Sequence, residues 1–273
     1  MMKILTMIAW RRPAYFKEVI KSLEDAEGIE DYTLLVSIDG GYSEQQDEMI
    51  EILKQCSLTY EVIIHKENIG CAGNTGFILK EGFKRADRVI HVEDDTVFHP
   101  DAIKWFESNL DEYEHDDRIF SITGYTNGKM NNLSLDGDWT ENNIVGIRDK
   151  FTCWGWATWK RVWDEINGKW FGITWKGGYC SDTCGFGKDF LESVNITNKG
   201  SWAWPMWKFW LNNRYEIAPH TSFIQNIGEY EGTWATPYYQ KYAHHTDWFR
   251  INQRVDMEHL DRFFVNNYLE RLP

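Results

Sequence analysis

RVIHVEDDTVFHPDAIKWF, residues 88–106, passes from an apolar run into three consecutive acids and then into a helical pattern. Residues 88–92 form a short run in which Val89, Ile90 and Val92 are apolar and β-branched, as a buried strand requires. Glu93, Asp94 and Asp95 follow without a break, and like charges packed this closely repel unless a positive species is shared among them. Pro100 stands where a first helical turn tolerates proline, and Trp105, Phe106 and Leu110 carry the helix onward. Taken alone, an acidic triplet is commonly a solvated loop. At the end of a buried strand it becomes a candidate site. Carboxylates without His or Cys nearby favour a hard divalent ion, Mn²⁺ or Mg²⁺, shared with substrate phosphates.

Upstream, the same alternation repeats. KILTMIA reads as a first strand, and Phe16, Val19, Ile20 and Leu23 then recur on one helix face. TLLVSID is a second strand ending at Gly40 and Gly41, and Ser43 with Gln46 forms a capping-box pattern for a helix bearing Met49, Ile50 and Leu53. YEVIIH is a third strand. Gly70 and Gly73 precede a helix whose Leu79, Gly82, Phe83 and Ala86 share a face, and IFSIT is a strand beyond the triplet. Strands separated by helices of this length pair in parallel through right-handed crossovers. The expected fold is therefore an open α/β sheet, mostly parallel, with helices on both faces. Ligands of such sheets bind beyond the carboxyl ends of the strands, where Asp39, Asn68 with Gly70, and the triplet all fall.

The chain has 273 residues, a formal charge of −13 and 42% hydrophobic residues. That suffices for a large buried core. The acidic charge is spread without a basic block, which argues against duplex nucleic acid and against an anionic membrane surface. No apolar stretch is long enough to span a bilayer. MMKILTMIAW runs into Arg11, Arg12 and Pro13 rather than a cleavage site, so it reads as a strand of a cytoplasmic protein. Five cysteines without a CxxC pair indicate neither a disulfide framework nor a zinc knuckle, and Cys180 and Cys184 read as free thiols. Of the 15 tryptophans, most are expected to fill the core, although an indole face also suits a sugar ring.

Residues 126–150 are rich in Asn, Asp and Gly and read as a long loop, whereas 151–240 mix aromatics with glycine and show no clear period. Residues 251–271 return to a helical pattern.

Several segments together resemble the GT-A nucleotide-sugar glycosyltransferases, in particular the group of N-acetylglucosaminyltransferase I and its bacterial relatives. WRRPAYFKEVIKSL resembles their first strand-to-helix passage, VSIDGGYSEQ their nucleoside-contacting strand end, and NIGCAGNTG the start of the third helix. VEDDTVFHPDAIKWF resembles the metal-site strand, CWGWATWKRVWDEI the acceptor-side segment, and PHTSFIQNIGEYEGTW a downstream strand and turn. The resemblance spans residues 3–235 in order.

It implies a single GT-A domain over 1–273, with 1–125 as the nucleotide-binding half and 126–273 as the acceptor-binding half. It implies a metal-dependent, inverting transfer of a hexosyl or N-acetylhexosaminyl group from a UDP-sugar to a hydroxyl of a glycan or other acceptor. Carried over by residue, Asp95 is the ligand of Mn²⁺ or Mg²⁺, while Glu93 and Asp94 lie near ribose and diphosphate. Asp39 and Arg11 hold the nucleotide, and Trp154, Gly155 and Trp156 shape the acceptor site. The relatives carry a catalytic aspartate in a segment matching SWAWPMW, where this chain has Ala203. Alanine cannot accept a proton. Asp182 and Asp189 are the nearest replacements, with Glu229, Glu231, His244 and His245 further off. The missing acid leaves a second reading, a catalytically degenerate sugar- or nucleotide-sugar-binding protein. Nucleotidylyltransfer lies further back, because AWRRPAY lacks the glycines of a phosphate loop.

Overall fold

A computed structural model describes residues 2–125, 145–148, 151–170, 175–176, 179–180, 214–219 and 222–228. In chain order the elements are β1 (Lys3–Ala9), α1 (Pro13–Glu24), β2 (Tyr32–Ile38), α2 (Ser43–Gln55), β3 (Tyr60–Ile64), α3 (Gly70–Phe83), β4 (Arg88–Glu93), β5 (Thr96–Phe98) and α4 (Ala102–Glu112). They continue with β6 (Ile119–Thr123), β7 (Val145–Arg148), β8 (Trp156–Trp159), α5 (Lys160–Trp170), the short hairpin β9 (Trp175–Lys176) and β10 (Tyr179–Cys180), β11 (Tyr215–Pro219) and β12 (Ile224–Asn226).

The central sheet has eight strands in the order β3-β2-β1-β4-β8-β6-β11-β7. Neighbours β3, β2, β1 and β4 are parallel, as are β6 and β11, while β8 runs against both β4 and β6, and β7 runs against β11. The expected mostly parallel α/β sheet is thus present. Strands β1, β4 and β6 are buried almost end to end, which is why they read as continuous apolar runs rather than alternating ones. Helix α3 crosses β1, β2 and β4 and meets α5, where Phe83 stacks on Trp163 at 5.5 Å. Helix α4 lies on β6 and β8. Trp105 and Trp159 fill the core there, and their indole N–H groups donate to the carbonyls of Thr123 and Leu110.

Strand β1 has β2 on one side and β4 on the other, so the crossover direction reverses at its carboxyl end. A crevice opens at such a reversal. Trp10–Arg12 and Asp94–Asp95 lie there.

Some local expectations differ from the structure. Ser43 does not cap α2; the helix is preceded by Tyr42 with no side-chain cap. Gln46 instead donates to the carbonyls of Asp39 and His65, tying the ends of β2 and β3 together. Gly70 and Gly73 lie inside α3, not before it. The loop expected over 126–150 is interrupted by β7, and the short β5 was hidden directly behind the triplet. The helical pattern at 251–271 lies outside the described residues.

Candidate active site

The register of β1 on β4 sets Ile8 beside Glu93, so both chains leave the sheet side by side. Arg11 has a backbone φ of 43°, a left-handed conformation that costs a non-glycine residue about 1–3 kcal/mol. This kink turns the chain out of β1 ahead of Pro13, the first residue of α1. The Trp10 backbone N–H donates to Asp94 Oδ2 at 3.0 Å, and the Arg12 guanidinium folds back over the triplet. Arg12 Nη2 donates to Asp94 Oδ1, and Nη1 donates to Asp95 Oδ2 at 2.7 Å.

The far side of Asp95 is closed from the other end of the chain. Strand β12 pairs antiparallel with β5 and places Asn226 opposite Thr96, next to Asp95. Asn226 Nδ2 donates to Asp95 Oδ1 at 3.0 Å, the Ile227 N–H donates to the Asp95 carbonyl at 2.8 Å, and the Gly228 N–H donates to Asn226 Oδ1 at 3.0 Å. Gly228 lies so close to Asp95 that a Cβ there would overlap Oδ2. Behind this turn, the Ile224 side chain fills the space above Gly155, whose φ is 63° and where a Cβ would stand 2.8 Å from Ile224 Cγ1. β12 is therefore a strap that locks Asp95 and the 154–156 segment into one rim.

Asp94 and Asp95 are only 3% and 6% exposed. Burial pulls the Arg12 pKa down, but the two carboxylates more than reverse this and hold its charge firmly. Burial pushes the Asp94 carboxyl up, against the opposing pull of Arg12. The two directions are compatible, because one guanidinium is shared by two carboxylates and cannot neutralise both. Arg12 is thus the positive species that makes the triplet tolerable in this structure.

A resident Mn²⁺ or Mg²⁺ needs free carboxylate oxygens converging on one point. Here Asp94 Oδ1 and Oδ2 and Asp95 Oδ1 and Oδ2 each accept from a protein donor. Among the described residues no three His, Cys, Asp or Glu side chains form a metal-holding group. As arranged, these residues do not fit a divalent ion at Asp95 without moving Arg12.

The other expected residues divide. Glu93 ends β4, half-buried on the rim. Arg11 does not reach the acids; its guanidinium lies 4.3 Å from the centroid of Trp10 and 6.0 Å from that of Tyr42. Asp39 is on the rim but turned inward, 3% exposed, with Oδ1 accepting from the Gly40 and Ile69 N–H groups and Oδ2 from that of Gly70. It ties the end of β2 to the start of α3. Trp154 is half-buried edge-on to Tyr125 at 4.9 Å. Trp156 is fully buried between His91 and Phe151, so in this structure it packs the core instead of meeting an acceptor. Asp182, Asp189, Ala203, Glu229, Glu231, His244 and His245 lie outside the described residues, as does Cys184, and of Cys180 only the backbone is described.

Sequence reasoning missed Arg12 and Asn226. The signal for Arg12 was the charge imbalance itself: once β1 and β4 pair, one of the two arginines just past β1 must face the triplet. Asn226 gave no signal, being an uncharged residue 131 positions from its partner.

Residues 75–180, fewer than half of the chain, match the model of the GNT-I family. No functionally curated protein matches the sequence. Among solved structures, TarS 1–349 of S. aureus in complex with UDP-GlcNAc superposes with a TM-score of 0.51 at 14% identity, covering 99% of this chain and 73% of that one. The mannosyltransferase of Pyrobaculum calidifontis in complex with GDP-Man and Mn²⁺ gives a TM-score of 0.45 at 8% identity, covering 71% of this chain. This chain spans 60% of the length of the mannosyltransferase and 43% of full TarS. The mostly parallel sheet and the likeness to TarS agree: this chain has the GT-A fold of the nucleotide-sugar glycosyltransferases, and its segment through the acidic triplet matches the GNT-I family model.

Proposed function

We propose that the protein is a glycosyltransferase that moves a sugar from a UDP-sugar to a hydroxyl of a glycan or glycoconjugate, with inversion at the anomeric carbon. The observation that carries the reading is the Arg12–Asp94–Asp95 cluster, built at the point where the crossover direction of the sheet reverses. Residues 1–125 supply the nucleotide half in this reading, and 126–273 the acceptor half.

The acceptor oxygen attacks the anomeric carbon, the bond from that carbon to the diphosphate breaks, and the hydroxyl proton passes to a base. Negative charge develops on the leaving diphosphate. The Arg12 side chain keeps 15% exposure, so its guanidinium is within reach of that charge. Tyr42 is exposed and stands edge-on to Trp10 at 5.5 Å with the Arg11 guanidinium 6.0 Å from its ring, a surface suited to a base ring. Asp39 shapes this end through the backbone of Gly40, Ile69 and Gly70 rather than by reaching out. Trp154 with Gly155 flanks the acceptor side, and Asp182 or Asp189 serves as the base.

The test is calorimetric titration of UDP and a panel of UDP-sugars, followed by product analysis with glycan acceptors. Saturable donor binding with transfer supports the proposal. Binding without turnover across the panel leaves only a nucleotide-sugar-binding protein, and no binding to any donor removes the reading.

A further inference from the structure

The acid pair of this chain already holds a cation. Arg12 bridges Asp94 and Asp95, Asn226 takes the remaining Asp95 oxygen, and the Trp10 N–H takes the remaining Asp94 oxygen. Both carboxylates are nearly out of contact with water. A divalent ion approaching Asp95 must therefore displace a bidentate guanidinium from a buried pair, and breaking such a pair strands uncompensated charge. The Gly228 turn closes the outer approach to Asp95 Oδ2, since that glycine is packed against the oxygen.

We infer that Arg12 is an intramolecular counterion that competes with divalent metal at Asp94 and Asp95, so that the protein without nucleotide has little affinity for Mn²⁺ or Mg²⁺. Metal affinity is gained when another anion takes the guanidinium. Resting on the reading of this rim as a nucleotide site, that anion is a nucleoside diphosphate, to which a guanidinium fork binds through charge-assisted hydrogen bonds. Affinity for metal and affinity for diphosphate are then linked through one side chain, and by linkage each raises the other.

The experiment is a titration of Mn²⁺ alone into the whole protein, followed by electron paramagnetic resonance of free Mn²⁺, with wild type, Arg12→Ala and Arg12→Lys. Melting curves establish that each variant is folded. The expected result is weak Mn²⁺ binding by wild type and binding tighter by about tenfold or more in Arg12→Ala, where two buried carboxylates are left without a counterion. Arg12→Lys falls between them, because a single ammonium lacks the fork that spans both acids. Should Arg12→Ala not fold, Arg12→Lys against wild type decides the matter. Equal or weaker Mn²⁺ binding in the folded Arg12 variants overturns the inference. A second arm repeats the wild-type titration with UDP, which is expected to tighten Mn²⁺ binding. UDP that binds without tightening Mn²⁺ overturns the linkage, whereas UDP that does not bind at all removes the nucleotide reading and leaves the Mn²⁺-alone comparison to decide the counterion.

Discussion

Arg12 Nη1 lies 2.7 Å from Asp95 Oδ2, and the same guanidinium closes on Asp94. These contacts join the exit of β1 to the exit of β4. If the rim is the donor site, Arg12→Ala lowers kcat/KM for sugar transfer by about a hundredfold or more, the size of effect seen when a charge-stabilising donor is removed. Steady-state kinetics of wild type and variant check this; a change smaller than about threefold means the guanidinium only neutralises the acids.

Gly228→Ala places a methyl group against Asp95 Oδ2. The carboxylate must turn away, taking Asn226 and Arg12 out of register. Transfer is expected to fall about a hundredfold, because displacements near 1 Å are enough for that loss. Circular dichroism should show a folded protein. Unchanged kinetics would mean that the orientation of Asp95 does not matter.

Asp39→Ala removes the acceptor of three N–H groups, that of Gly40 buried and those of Ile69 and Gly70 part-buried. The expected loss of unfolding free energy is about 2–4 kcal/mol, with Asn intermediate because only one of its side-chain atoms accepts. Urea unfolding measures it, as a lower midpoint at constant slope. A midpoint equal to wild type would return Asp39 to a role toward ligand alone.

How much of this was legible beforehand varies with the kind of signal. Strands β1, β4 and β6 stand out because burial on both faces forces an unbroken apolar run, and α1 because Phe16, Val19, Ile20 and Leu23 share one face. The crevice followed from topology, so Glu93, Asp94 and Asp95 could be placed before any coordinates. The counterion could not be fixed to the right arginine, since Arg11 and Arg12 are chemically identical and only the kink at φ 43° separates their directions. The resemblance alone pairs Trp154 and Trp156 at the acceptor side, and two positions apart in a strand they would share a face. But β8 begins only at Trp156, which is buried, and the left-handed turn at Gly155 leaves Trp154 half-buried outside it. Ser43 and Gln46 match a helix-start pattern, but the Gln46 amide is taken by the carbonyls of Asp39 and His65.

His91 is buried on β4, with Nδ1 3.0 Å from Thr6 Oγ1 and with Nε2 making no hydrogen bond. Burial lowers its pKa to about 3. Its folded pKa lies below the unfolded value, so the unfolded chain takes up the proton first as pH falls. Stability linked to His91 is complete above about pH 6.5 and declines below it, by up to about 1.4 kcal/mol per pH unit. Between pH 7 and 5 this amounts to about 2 kcal/mol. Unfolding free energies of His91→Gln should lack this component, and identical pH slopes in the two proteins would show that His91 is not held neutral.

Asp95 and Asn226, in contact through one hydrogen bond, are 131 residues apart in the chain. During synthesis, the parallel core from β1 to β4 can assemble long before Asn226 has left the ribosome, whereas the rim cannot. Contacts of such sequence separation close late because the loop between them must first be ordered. The acidic pair is accordingly born with Arg12 as its early companion and acquires its second support only after a further 131 residues have been made. The guanidinium thus shields two buried charges through the interval when the nascent chain is most exposed to misassembly.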